Sequence, residues 1–441
     1  MKMRTTSAIS LAIFTVTILM SPYLRASTLM ETVREAIATN PEVLIAGSER
    51  DSVEQQMEQA RGGMFPQVDI TLGTGLEATE NRTTIASGNS NRKYNRDEAE
   101  IRVRQLLYDG NATESEFERQ RARVNSHAYD TFSKAEEVGL KATEAYLNVL
   151  RERKLVQLAQ ENLSSHEKIH DRIVKRGMRG VGNKADIQQA LGRLARARTN
   201  LLSEKNRLDD ANAAFLSIIG HVPGNLQEPA RRDHLVPVTF DDVMEIALDN
   251  HPRLKSADAD IDAAQEQLHA ARALFAPRIH LEIKGSENNN LDGVPGPNND
   301  TEIMLRGRYN FTGGRDVARR RETVIELGQA KEVRENTRRQ VIESIQLSWS
   351  AWKTSRDQLE SLKIHEDASK QALEAYRKQF SIGQRTLLDL LDQENEAYQA
   401  SINYINGQYD AEYSTYRILA GIGKFLWALQ VNPPVPANTI Q

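Results

Sequence analysis

The 441-residue sequence contains no cysteine. That excludes disulfides, thiolate metal sites and thiol nucleophiles. It also excludes a lipid anchor carried on an N-terminal cysteine. Aromatic residues make up 6% of the chain and there are 13 prolines, which suits long hydrated helices with narrow apolar seams better than a thick globular core. The formal net charge is only −4, and no basic stripe is interleaved with stacking aromatics, so nucleic acid is not an expected partner. Beyond Ser27 no run approaches the ~20 apolar residues that a transmembrane helix needs.

The one extended apolar stretch, residues 8–20, lies at the start of the sequence. Lys2 and Arg4 precede it, Pro22 breaks it, and a cleavage point is placed after Ala26. Residues 1–26 read as a secretion signal. The mature chain is therefore expected to be exported, without a helical span.

An internal repeat organises the rest. Residues 29–75 match 240–286 at an offset of 211: Asn40-Pro41 falls on His251-Pro252, Ala60-Arg61 on Ala271-Arg272, and Pro66 on Pro277. Residues 110–220 match 313–423 at an offset of 203, with Gly180 on Gly383, Asp186 on Asp389, and Ile219-Gly220 on Ile422-Gly423. The length change is confined to the stretch between the two blocks. The expected layout is repeat 1 over 27–237, repeat 2 over 238–425 and a C-terminal tail over 426–441.

Each repeat begins with two helices separated at an X-Pro pair. The period then switches from helical to two. Val68, Ile70 and Leu72 oppose Gln67, Asp69 and Thr71; Ile279, Leu281 and Ile283 oppose Arg278, His280, Glu282 and Lys284. Polar loops and return strands follow, giving expected strands at about 66–76, 98–108, 277–286 and 301–311. Matching the return strands by their alternation takes an offset of 202, which implies either a one-residue bulge near residues 106–109 or a slip in the alignment. Long helices are expected over about 111–176 and 315–379, each about 100 Å long. Glycine-containing turns end them, and return helices are expected over 184–219 and 386–422. Ile187, Leu194, Leu201, Leu208 and Phe215 form a heptad seam, matched by Leu390, Ala397, Tyr404, Ala411 and Ile418, the pattern of coiled-coil packing.

Alternating strands of about ten residues have the length and patterning of a membrane β-barrel. Four of them cannot sit in lipid as an open sheet, because the edge N–H and C=O groups would go unsatisfied. Chains must therefore pool strands, to eight, twelve or sixteen. Two plainer readings stand beside this one: a soluble sheet packed on the helices, and a non-conducting periplasmic coiled-coil scaffold.

With the repeat, strand pairs and turns in hand, the chain resembles the TolC family of outer-membrane channel-tunnels from about residue 29 to 425. The most specific match is IGQRTLLDLLDQENEAY, similar to the family's G-x-R-T-x-x-D-x-L-D segment; the first turn, GVGNKADIQQA, resembles its counterpart. The resemblance implies a mainly α fold with a membrane β-barrel portion. It implies a homotrimer with a 12-stranded barrel in the lipid of a Gram-negative outer membrane and an α-helical barrel in the periplasm. The partners it implies are a periplasmic adaptor (membrane fusion protein) and an inner-membrane ABC exporter or pump. It implies no enzyme activity and no cofactor. The cargo reading is type I protein secretion, with multidrug or small-molecule efflux as the alternative.

The resemblance also places residues. Asp389 and Asp392 match the aspartates of the periplasmic entrance; spaced i, i+3 they share a helix face. Arg385 matches the arginine that latches that entrance and Asp186 its acidic partner. Phe380 stands where the family has a tyrosine, and Ala185 where it often has threonine, which weakens the latch. Adaptor docking is expected at the tips, on Gly177, Gly180, Gly182 and Asn183 and on Gly383, Gln384 and Thr386.

Other signals are set aside. His166-Glu167-Lys168-Ile169-His170 fits H-E-x-x-H, yet it lies inside a long repeated helix, its mate at 369–373 has no histidine, and no third ligand is placed by spacing. No metal site is assigned. Arg319, Arg320 and Arg321 read as a solvated helix face.

Overall fold

The computed structural model describes residues 27–180 and 183–440. The expected signal segment and the tip residue Gly182 lie outside the described residues. The chain runs α1 (Leu29–Thr39), α2 (Pro41–Gly62), β1 (Gln67–Ala78), α3 (Arg82–Ala86), β2 (Lys93–Tyr108), α4 (Ala112–Met178) and α5 (Lys184–Ile219). It continues through α6 (Phe240–Asn250), α7 (Pro252–Ala273), β3 (Arg278–Asn289), β4 (Pro297–Arg308), α8 (Arg315–Ser381), α9 (Leu387–Gly421) and the short α10 (Phe425–Ala428). The starts of α1, α2 and β1 precede those of α6, α7 and β3 by 211 residues, and α4 and α5 precede α8 and α9 by 203.

Local chemistry sets the element ends twice over. Thr28 and Glu31 form a capping box on α1. Asn40 accepts the Glu42 N–H at 2.9 Å to cap α2, and His251 Nδ1 accepts the Arg253 N–H at 3.3 Å at the equivalent start of α7; Pro41 and Pro252 occupy the first helical positions, where their missing N–H costs nothing. Asp109 accepts the N–H groups of Ala112 and Thr113 at 2.9 and 3.0 Å and so starts α4. Gly180 and Gly383, at φ +77° and +81°, turn the chain after the 67-residue helices α4 and α8. At 1.5 Å per residue each of these helices is about 100 Å long.

The strands form one antiparallel sheet in the order β1-β2-β3-β4. Val68 faces Val103, Ile70 faces Ile101, Val103 faces Ile283, and Ile283 faces Ile303. One face is thus apolar from edge to edge, and it is bare: Ile70, Leu72, Ile303 and Leu305 are 67–77% exposed. The other face carries Arg102, Arg104, Glu282, Lys284 and Arg306. Several strands run beyond the expected limits. β2 starts at Lys93 and β4 at Pro297, while β4 ends at Arg308. The first polar loop contains α3, capped by Asn81 and Thr84 reciprocally, and Asn81 donates to the Asp292 carbonyl of the second loop at 3.2 Å. The two loops brace each other, which lets the strands continue into them.

The register corrects one alignment. Ile70 pairs with Ile101 and its repeat mate Leu281 pairs with Leu305. The return strands are therefore related by 204 residues, not 202. The return to 203 at the long helices is made by a bulge at Leu107, between the Leu106–His280 and Tyr108–Ile279 pairs.

The main core lies where the helices cross, midway along the molecule. Tyr146 and Leu147 of α4, Phe215 of α5, Leu254 of α7, Ile345 of α8, Tyr416 and Ile418 of α9, and Phe425 of α10 are buried together. The heptad seams pack inward: Leu194, Leu201, Phe215, Leu390, Ala397, Ala411 and Ile418 are buried, and Ile187, Leu208 and Tyr404 are half-buried.

Candidate functional site: the helical tips and the sheet

At the end of the hairpins farthest from the sheet, α4, α5, α8 and α9 share a second core. Ile169 and Ile173 meet Ala190, Leu373, Phe380, Leu387, Leu390 and Leu391, with Ile187 and Tyr376 packed on them. Phe380 is 5% exposed, and the Arg176 guanidinium lies 5.7 Å from its ring centroid. A phenylalanine here is a packing residue with no hydroxyl to offer. Gly177 allows α4 and α5 to meet closely: a Cβ at that position would sit 2.8 Å from Ile187 Cδ1.

The expected gate residues separate into different local roles. Asp389 closes a capping box at the start of α9. It accepts the Thr386 N–H at 3.1 Å and the Thr386 hydroxyl at 2.9 Å, while its own N–H donates to Thr386 Oγ1 at 3.2 Å. The Thr386 N–H, then the hydroxyl, hold its carboxyl below the ordinary aspartate value, with Arg385 adding a smaller pull. Asp392 is ion-paired to Arg193 of α5 at 2.6 Å. Arg385 donates from Nε to Gln379 Oε1 at 3.1 Å and lies 4.3 Å from the centroid of Tyr376. Within one chain no ion pair joins Arg385 to Asp186 among the described residues. Asn183 caps α5 by accepting the Ala185 N–H at 3.0 Å. The tip turns expose Gly180, Asn183, Gly383, Gln384 and Thr386, while Gly177 lies half-buried at the end of α4.

Two features of the tips escaped the sequence reading. Arg193 has no counterpart in the motif that singled out the aspartates. Glu394, 3% exposed, binds Arg377 through both oxygens at 2.7 Å and accepts the Ser165 hydroxyl at 3.0 Å. This triad fastens α8 and α9 to α4. His166 of the H-E-x-x-H stretch is buried beside it and its pKa is lowered by that burial; His170 faces Asp171 at 3.7 Å.

An edge-open sheet with a bare apolar face, mounted on helices about 100 Å long that end in coiled-coil hairpins, is the subunit of an outer-membrane channel that reaches across the periplasm. The comparisons make the class specific: the outer membrane efflux protein family matches residues 32–221 and 243–423, and the chain belongs to this family, the TolC family. It is 24% identical over 350 residues to the outer membrane efflux protein BepC of Brucella suis, covering 79% of this chain and 74% of BepC. It is 21% identical over 404 residues to the alkaline protease secretion protein AprF of Pseudomonas aeruginosa, covering 88% and 83%. Among solved structures, the Campylobacter jejuni CmeC outer membrane channel superposes with a TM-score of 0.76 at 16% identity, over 90% of this chain and 86% of that one. The protein is an outer-membrane efflux channel of tripartite systems and not an enzyme. It resides in a Gram-negative outer membrane. TolC-family proteins are trimeric channels that work with adaptor proteins and inner-membrane pumps.

Proposed function

We propose that this chain assembles as a homotrimer whose twelve strands close one barrel, and that the trimer is the exit duct of a type I protein secretion system. The observation that carries the assembly is the sheet: β1 and β4 are open edges on a bare apolar face. In lipid such edges must pair. Four strands of alternating direction place β4 of one protomer antiparallel to β1 of the next. Planar-bilayer conductance of the purified protein tests this; a protein that stays soluble and passes no current would sink it. The secretion branch is supported by similarity to a protease secretion protein. Similarity to an efflux protein supports the alternative, a drug or small-molecule duct. Deleting the gene and comparing the culture-medium proteome with drug susceptibility separates the two.

The entrance reading gives Asp389 and Asp392, three copies of each, to a ring of carboxylates that favours cations. Arg385 feels Asp389 of its own chain only weakly and has no ion pair among the described residues, so its latch partner would be Asp186 of a neighbouring protomer. Phe380 cannot add a hydroxyl to that latch and serves the tip core instead. Adaptor docking is assigned to the two turns, at Gly177, Gly180, Gly182 and Asn183 and at Gly383, Gln384 and Thr386, where paired hairpins leave grooves for a partner helix. The adaptor and the inner-membrane ABC exporter or pump are the proposed partners.

A further inference from the structure

The polar face of the sheet changes character along its length. In its upper tiers, basic residues are matched by acids. Arg102 pairs with Glu100 at 2.7 Å and Glu282 at 3.3 Å, Lys284 with Glu100 at 3.3 Å, and Arg306 with Glu282 at 2.5 Å. At the end next to the helices the matching stops. Arg278 and Arg308 are direct cross-strand partners. Both are exposed, and neither has an ion pair among the described residues. The next pair, His280 and Arg306, is again basic on basic. Arg104, Arg278, Arg306, Arg308 and Arg315 together line a cleft of about 440 Å³ between the sheet and the start of α8, facing only Glu282 and Asp316. Asp316 is taken by Arg315 at 3.4 Å, and Arg104 pairs with Asp69 at 2.9 Å.

Like charges directly opposite on a sheet are destabilising. Within one chain this arginine pair has no counter-ion and adds nothing to the fold, and a planar guanidinium is suited to bidentate binding of carboxylate or phosphate. We propose that Arg278 and Arg308 form an anion-binding belt at the base of the barrel, which in the assembled duct engages multivalent anionic groups of the passing cargo. The inference rests on the trimeric duct reading. Each trimer would carry six such guanidiniums around one ring, above an entrance ring of opposite sign. The order of signs means that cations are favoured at the mouth and anions at the neck.

The test uses the purified trimer in planar bilayers, with R278Q/R308Q and R278K/R308K as variants. Lumen potentials of this kind reach several kT, and a change of about one kT alters the local anion-to-cation ratio by roughly sevenfold. The Gln pair should therefore lower the chloride-over-potassium permeability ratio, from reversal potentials in a KCl gradient, by roughly that factor. The Lys pair should keep most of it. Tripolyphosphate and poly-glutamate, added separately, should block the parent and lose their block in the Gln pair; whichever blocks at lower concentration assigns phosphate or carboxylate. Unchanged selectivity in the Gln pair, or no block of the parent by either anion, overturns the belt. A Gln pair that no longer forms trimers gives the arginines a structural role and overturns it too. A parent that carries no current removes the duct reading itself, and the belt with it.

Discussion

Glu136 offers the most direct thermodynamic test of the structure. It lies on α4 inside the main core, 4% exposed. Its carboxylate accepts the N–H groups of Leu426 at 3.0 Å and Phe425 at 3.3 Å, so it ties the C-terminal helix α10 to the middle of α4. Burial dominates its ionisation: the pKa is pushed up from 4.5 to about 8, against the smaller pull of the two N–H donors. The adjoining cleft is lined by Glu137, His251, Arg253 and Arg417, and none of these holds the charge.

The sign follows from proton linkage. Between pH 4.5 and about 8 the folded chain binds a proton that the unfolded chain has released, so stability falls as pH rises through that window. At 1.36 kcal/mol per pKa unit, the full loss is about 5 kcal/mol per chain, and about 3 kcal/mol is gone by pH 7. Glu136→Gln keeps an oxygen for one N–H and never ionises. It should match the parent below pH 4.5 and exceed it increasingly towards pH 8, with no further gain above. Thermal melts of the detergent-solubilised protein, followed by helical circular dichroism across that range, measure the difference. A Gln variant that is equally destabilised at every pH would refute the account, because the carboxylate would then be acting as an ionised cap.

Other perturbations have equally definite signs. Gly139 faces Phe425, and a Cβ there would lie 2.7 Å from that ring; Gly139→Ala should cost about 1–3 kcal/mol, read as a lowered melting temperature. His251 is held neutral, its pKa lowered to about 4 by burial, so its contribution is present above pH 6.5 and is lost as pH falls through about 4. His251→Asn should keep the α7 cap and flatten that acid limb of a stability profile. At the tips, Arg385→Ala should raise channel conductance if Arg385 is a latch, and unchanged conductance would count against that role. Asp389→Ala with Asp392→Ala should abolish block by multivalent cations, whereas Arg193→Ala frees Asp392 from its 2.6 Å ion pair and should tighten the block.

Much of this architecture was legible because its chemistry is periodic. The X-Pro pairs, the alternating strands and the heptad seam each repeat at fixed spacing, and each maps to a cap, a sheet face or a buried helix stripe. The same periodicity set the limit. Offsets of 202 and 204 differ by one full strand period, so alternation puts the same side chains on the same face either way, and only the hydrogen-bonded register separates them. Loop residues carry no such period. The extension of β2 back to Lys93 depends on contacts between two loops about 200 residues apart in sequence, through Asn81 and Asp292. At the tip, the motif marked Asp392 but not its partner, because Arg193 belongs to the other repeat and the pairing exists only once α5 and α9 lie side by side.

The repeat is symmetric in sequence, yet the two long helices do not stand in equivalent places. α4 buries residues along its whole length, from Ser115 to Ile173. α8 has the same number of residues, but between Thr323 and Val341 it buries none. Val324, Ile325 and Val333 in that stretch are more than half exposed. A helix that equals its repeat mate in length, but lacks cover over several turns, is an edge. The sheet has its own edge at β4, directly before α8. Both open boundaries lie on the same side of the chain, and both call for a neighbour with the opposite boundary, β1 with α2. A single heterologous contact satisfies them together, and repeated around an axis it closes a ring. If so, charged substitutions at Ile325 and Val333 should release monomers without lowering the helix content of the single chain, as read by size-exclusion light scattering alongside circular dichroism. Loss of helix in step with loss of trimer would mean instead that this face packs within the chain.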